Sequence, residues 1–141
     1  MEKIKVFLVD DHDLILLGIS KILSSHEDVN IVGTANNGEM ALQKIQELKP
    51  DVVVMDIDIP KISGLELTEK LTKQLKLDVK IILHSSFVDE EHIVKGFEMG
   101  AQGYVPKKFE PEELIKAIRT VASGKKYIKG EVSDIFMESF Y

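Results

Sequence analysis

The run Val52-Val53-Val54-Met55 contains no polar residue and ends directly in a carboxylate, Asp56. Successive side chains of a strand point to opposite faces, so four apolar residues in a row describe a strand covered on both sides. Parallel sheets sandwiched between helices contain such strands. Pro60 and Gly64 then break the chain into a loop. Open α/β sheets bind their ligands beyond the C-terminal ends of the strands, which makes Asp56 a candidate site residue.

The rest of the chain repeats the pattern. Strands are expected at Lys3 to Val9, Asn30 to Ala35, Asp51 to Met55, Lys80 to His84 and Gln102 to Val105. Amphipathic stretches lie between and after them, at Asp13 to Ser24, Gly38 to Glu47, Gly64 to Leu75, Asp89 to Met99 and Pro111 to Ser123. Strict βα alternation predicts a doubly wound α/β fold, a five-stranded parallel sheet with helices on both faces. Right-handed crossovers leave few topologies. Pro111 suits a first helical turn, Glu112 and Glu113 favour the same end through the helix dipole, and Gly100 and Gly124 suit helix C-termini. Gly96 is expected to weaken the fourth helix by roughly 1 kcal/mol.

With 141 residues, 44% of them hydrophobic, the chain can bury a core as one domain. It has no cysteine, which excludes disulfides and zinc–thiolate sites. No apolar run approaches the roughly 20 residues of a membrane span, and Met1-Glu2-Lys3 is not the start of a signal peptide. The expectation is a soluble cytoplasmic protein that does not engage a membrane. A net charge of −6 argues against this chain gripping nucleic acid by itself.

The strand tips carry the chemistry. The first offers Asp10 and Asp11, the third Asp56, the fourth Ser85 and Ser86, and the fifth Lys107. If the first and third strands are neighbours, their carboxylates converge and repel. Oxygen ligands that keep some waters suit Mg²⁺ as the counter-charge. Carboxylate nucleophile, metal-binding carboxylates, hydroxyl and ammonium together suit phosphoryl transfer to Asp56, a reaction governed by positioning and charge stabilisation.

These parts, in this order, resemble the receiver domains of two-component response regulators. The resemblance covers Lys3 to about Ser123. Its landmarks are Val9-Asp10-Asp11-His12, Met55-Asp56-Ile57-Asp58-Ile59-Pro60 with Gly64, Leu83-His84-Ser85-Ser86, and Gly100-Ala101-Gln102-Gly103-Tyr104-Val105-Pro106-Lys107. It implies a flavodoxin-like strand order 2-1-3-4-5, with Asp56 as phosphoacceptor. Asp10, Asp11 and Asp56, with the Asp58 backbone carbonyl, would hold Mg²⁺. Ser85 and Lys107 would contact the phosphoryl group, and Tyr104 would be the switch aromatic. A sensor histidine kinase is the implied partner, with a homodimer on phosphorylation. Asp-Asp-His, Gly-Tyr-Val-Pro-Lys and Gly124-Lys125-Lys126-Tyr127 are similar to the NarL/FixJ type, which continues into a LuxR-type helix-turn-helix. The expected organisation is therefore a receiver over residues 1–124 and a linker over residues 125–141 toward an output domain absent from this chain, through which alone DNA would be met. Val132, Ile135 and Phe136 have helical spacing within that linker.

The chain departs from the usual pattern at Asp58, an extra carboxylate, at Lys108, where many receivers have proline, and at Leu17, where related regulators often carry a charge. The isomer of the Lys107–Lys108 peptide is left open. His12 and His84 read as loop and strand or surface residues, and Tyr104 also fits a plain core aromatic. Asp56-Ile57-Asp58 after an apolar strand also fits a haloacid-dehalogenase-type phosphatase, although that family places its acid pair last rather than first. The same residues are compatible with a stand-alone receiver that acts by docking, and with a pseudo-receiver that no longer accepts phosphate. In the first helix, a rotation of about 100° per residue puts Ile15, Ile19 and Ile22 on the core face and Leu17 outside. The resemblance places kinase contacts on this helix, so the outward leucine is expected to mark a docking surface.

Overall fold

The computed structural model describes residues 2–140. Five parallel strands form one sheet: β1 (Ile4–Val9), β2 (Val29–Ala35), β3 (Val52–Met55), β4 (Lys80–Ser85) and β5 (Gly103–Pro106). Their order is β2-β1-β3-β4-β5, as expected, so β1 and β3 are direct neighbours in the register Val9↔Met55. The residues following each, Asp10 and Asp56, are thereby set side by side.

The period of two sorts the strands onto two cores. Phe7, Val9, Val53, Met55, Ile81, Leu83 and Tyr104 face one side, under α2 (Gly38–Leu48), α3 (Gly64–Glu69) and α4 (Glu90–Glu98). Val6, Leu8, Val52, Val54, Ile82 and Val105 face the other, under α1 (Asp13–Ser24) and α5 (Pro111–Ala122). All four residues of β3 are buried, as its continuous apolar run requires.

Helix starts are fixed by side chains. Asn37 accepts from Met40 N, Ser63 from Glu66 N and Asp89 from His92 N, each meeting a backbone donor that the first turn leaves free. Gly64 opens α3 against β3's outgoing chain. A Cβ there would lie 2.3 Å from the Asp56 carbonyl oxygen. Glycine at this position lets the helix start pack directly behind the candidate nucleophile.

Three expectations need correction. The third helix does not run evenly to Leu75: residues Lys70–Gln74 form a π turn, closed by Leu75 N–H donating to Lys70 O at 2.8 Å. Thr68 and Thr72 donate their hydroxyls back to Gly64 O and Thr68 O, and Thr72 also to Met99 O. In α1 the buried residues are Leu16 and Leu23, not Ile15, Ile19 and Ile22. Those isoleucines line a groove toward α5, and Ile22 is exposed. Gly96 is not merely a weak point in α4, since a Cβ there would lie 2.6 Å from Leu83 Cδ1. It lets α4 lie close on β4.

The stretch expected as a linker is folded onto the domain. Tyr127 bridges to Gly103 beside β5, and α6 (Glu131–Glu138) packs on α4 with Val132 fully buried. Among the described residues no peptide bond is cis, so Lys107–Lys108 is trans, and no helix is long and apolar enough to cross a membrane.

Candidate functional site

Asp10 and Asp56 leave β1 and β3 at the C-terminal edge of the sheet, and both are buried. Lys107, directly after β5, reaches across β4 to them. Its Nζ donates to Asp10 Oδ2 and to Asp56 Oδ2, each at 2.8 Å. The lysine is itself anchored through its backbone, which donates to Ser85 O at 2.8 Å.

The two acids respond differently to one shared ammonium. Burial works to raise Asp10, yet the Lys107 hydrogen bond and the His12 backbone N–H outweigh it and hold Asp10 below its ordinary range. Burial raises Asp56 as well; there the Lys107 bond does not compensate, and the Asp10 charge adds to the rise. Burial lowers Lys107, but its bonds to Asp10 and Asp56 prevail and raise it. Asp56 is thus the more basic carboxylate, a property that favours a nucleophile.

Asp11 and His12 complete the acidic end. His12 N donates to Asp10 Oδ1 at 2.9 Å, and His12 Nδ1 lies 3.0 Å from Asp11 Oδ1. Asp10, Asp11, His12 and Asp56 each offer one ligand atom within 4.8 Å of the others. Three carboxylates crowded together fit a hard divalent cation. The sequence already sets His12 next to the acid pair, though as a loop residue; its ring contacts to Asp10 Oδ1 and Asp11 Oδ1 are seen only in the structure.

Asp58 has an exposed side chain, and its backbone N–H donates to Asp56 Oδ1 at 3.2 Å. Of the two serines after β4's apolar run, Ser85 ends the strand fully buried, whereas Ser86 is exposed. Ser85 Oγ accepts from Phe87 N at 3.0 Å. Tyr104 is turned inward, 1% exposed, with its hydroxyl donating to Phe87 O at 2.6 Å. Burial pushes that hydroxyl up to about 12, with the nearby Ser85 hydroxyl opposing. Ser85 and Tyr104 therefore grip the same residue, Phe87, whose ring stacks on His92 at 4.2 Å.

His84 is half-buried on the opposite face of β4, in a groove of about 210 Å³ between α1 and the start of α5 that Lys107 also lines. Burial, with Lys107 adding, pushes its imidazole down to about 4, so it is neutral near pH 7.

The profile described as response regulator receiver domain matches residues 6–119. The response regulator GacA of Pseudomonas aeruginosa is 39% identical over 138 residues, covering 97% of this chain and 64% of that protein. The nitrate/nitrite response regulator NarL of Escherichia coli K12 is 32% identical over 138 residues, covering 98% of this chain and 63% of that protein. A crystal structure of a LuxR-family two-component response regulator from Aurantimonas sp. SI85-9A1 superposes with a TM-score of 0.92 at 27% identity, covering 99% of each chain. The chain thus spans just under two thirds of the length of these two named relatives. With β1, β3 and β5 presenting the acids and the lysine in the matched region, the chain belongs to the response regulator receiver domain family, of the NarL/LuxR type.

Proposed function

We propose that Asp56 takes a phosphoryl group from the phosphohistidine of a sensor kinase. The observation that carries this reading is Lys107 Nζ held 2.8 Å from both Asp10 Oδ2 and Asp56 Oδ2 at the sheet's C-terminal edge. A carboxylate oxygen of Asp56 attacks phosphorus, the P–N bond breaks, and the imidazole leaves with the electron pair. Lys107 is placed to exchange one of its carboxylate contacts for a phosphoryl oxygen. Asp10, Asp11, Asp56 and the Asp58 backbone carbonyl would hold Mg²⁺, which offsets the charge gathered by clustered carboxylates and a dianionic phosphoryl group. Ser85 contacts the phosphoryl group, and Tyr104 follows Ser85 through Phe87.

The domain acts as a signalling element in the cytoplasm rather than as an enzyme with turnover on an external substrate. Residues 1–124 form the receiver, and residues 125–141 lead toward an output domain. Transcription control through DNA would belong to that domain, with a homodimer forming on phosphorylation. A stand-alone receiver that acts by docking is the second reading, favoured by the packing of α6 back onto α4. The phosphatase reading is set aside by the family match.

Mg²⁺ titration followed by backbone NMR tests the site. Asp11→Ala should weaken Mg²⁺ binding at least tenfold while leaving the sheet's resonances in place. An unchanged titration in Asp11→Ala would contradict the metal assignment.

A further inference from the structure

The two oxygens of Asp10 serve different partners. Oδ2 accepts from Lys107 Nζ, the ammonium that also reaches Asp56 Oδ2. Oδ1 faces His12 instead. His12 Nδ1 lies 3.1 Å from Asp10 Oδ1 and 3.0 Å from Asp11 Oδ1. Side-chain exposure rises along these three residues, from 3% at Asp10 through 34% at Asp11 to 63% at His12. The imidazole therefore stands at the mouth of the acidic site, with the carboxylates behind it.

Neither packing nor helix capping accounts for the ring. Its side chain is exposed, and although His12 is the N-cap residue of α1, that side chain makes no capping bond. The backbone is held on both sides. His12 N–H donates to Asp10 Oδ1 at 2.9 Å, and its carbonyl accepts from Ile15 N and Leu16 N at 3.0 and 3.1 Å. Only rotation about the side-chain bonds is left to place the ring. A neutral Nδ1 carries one proton or one lone pair. It can donate to one of the two carboxylate oxygens, and its lone pair suits neither. A divalent cation shared by the three atoms satisfies them all. The spacing agrees, because ligands about 2.0–2.1 Å from an octahedral ion lie about 3 Å apart when adjacent. His12 Nδ1 keeps that spacing from both oxygens, and Asp56 offers a further ligand atom within the same 4.8 Å cluster.

We infer that His12 is itself a ligand of the metal centre, through Nδ1, and that it biases the centre toward borderline transition ions such as Ni²⁺ over Mg²⁺. The inference rests on the reading of Asp10, Asp11 and Asp56 as metal ligands. Mg²⁺ takes oxygen ligands and gives up its waters reluctantly. An imidazole at the mouth of the site claims a position that such a water would fill. Nitrogen from imidazole suits Ni²⁺, Cu²⁺ and Zn²⁺, whereas carboxylate, carbonyl and water suit Mg²⁺ and Mn²⁺. Carboxylates alone already rank the transition ions among themselves. The mark of His12 is therefore the part of the Ni²⁺ preference that vanishes with the ring.

The test titrates the full, tag-free chain at one fixed pH with Mg²⁺ and with Ni²⁺, followed on the backbone amide signals of Asp11 and Asp56. Reading those signals separates this site from binding at other histidines. His12→Ala keeps the backbone bond to Asp10 and removes no cap, so the domain should fold as wild type. It should lose Ni²⁺ affinity roughly tenfold or more, with Mg²⁺ affinity within about twofold of wild type. Pulsed EPR of bound Mn²⁺ supplies a second readout: wild type should show coupling to a directly bound nitrogen, absent in His12→Ala. Equal losses of Mg²⁺ and Ni²⁺ affinity in His12→Ala would show that the ring only orients the acids. That result, unchanged Ni²⁺ affinity, or Mn²⁺ without nitrogen coupling in wild type would each overturn the inference. Asp11→Ala should lose both ions in every case, so the carboxylate site would still stand. Failure of either ion to move the Asp11 and Asp56 signals of wild type would overturn the carboxylate site, and the role of His12 with it.

Discussion

Lys107 Nζ lies 2.8 Å from Asp56 Oδ2 across 51 residues of sequence, and the pair is part-buried. The same ammonium serves Asp10 at equal distance. Burial nonetheless leaves Asp56 raised, whereas the Lys107 and His12 hydrogen bonds outweigh burial and hold Asp10 lowered. The fold thus keeps Asp56 ionised at a cost. Asp56→Asn should stabilise the metal-free domain at pH 7, because burial disfavours the Asp56 carboxylate. Lys107→Ala should destabilise it by about 3 kcal/mol, because two buried carboxylates lose their partner. Added Mg²⁺ should restore part of the loss in Lys107→Ala. Urea melts with and without Mg²⁺ provide the check, and a destabilised Asp56→Asn would show that the charge balance has been misread.

Gly64→Ala tests how closely α3 abuts the site. A methyl group 2.3 Å from the Asp56 carbonyl oxygen and 2.7 Å from Ile57 Cα meets backbone rather than flexible side chain. The expected loss is about 1–3 kcal/mol of stability. Acetyl phosphate labelling should also slow in molecules that remain folded. Wild-type melting and labelling in Gly64→Ala would mean that this approach is not required.

Leu17 is 66% exposed on α1, and Leu14 is 84% exposed. Leu17→Glu should leave the melting temperature within a degree or so, since surface changes cost within about 0.5 kcal/mol. It should slow phosphotransfer from the cognate kinase while acetyl phosphate labelling proceeds normally, because the small donor bypasses docking. Equal rates from the kinase for wild type and Leu17→Glu would remove α1 as a docking surface.

His84 supplies a pH dependence. Its folded value, about 4, is depressed below the ordinary 6.5, so its contribution is fully present above pH 6.5 and is lost as pH falls toward 4. In that window the unfolded chain holds a proton the folded one does not, and stability should fall by about 1.4 kcal/mol per pH unit from this residue. The total is about 3 kcal/mol on the same basis. His84→Gln should flatten the curve between pH 6.5 and 4 relative to wild type. Parallel curves would place the histidine's proton balance elsewhere.

Where one face dominates, the sequence is easy to read. Val52-Val53-Val54-Met55 has a single solution as a strand, and the Asp56 tip follows from it. Pro111, Glu112 and Glu113 mark the start of α5 where the structure has it. The first helix is harder, because Leu14-Ile15-Leu16-Leu17 offers four adjacent apolar residues and no phase. Only the groove toward α5 decides that Leu16 turns to the core while Ile15 borders the groove. The π turn depends on the bonds of Thr68 and Thr72 across turns and to Met99, a tertiary contact. Helical spacing of Val132, Ile135 and Phe136 marks α6, but its seat on α4 depends on Phe97 and Lys108, which local pattern cannot pair with it.

Intact mass after incubation with acetyl phosphate and Mg²⁺ tests the central claim most directly, that Asp56 alone accepts the phosphoryl group. Wild type should gain one phosphoryl group of roughly −1.5 to −2 charges, lost on removal of Mg²⁺ before labelling. Asp56→Asn should gain none. A phosphoryl group that persists in Asp56→Asn would contradict the assignment.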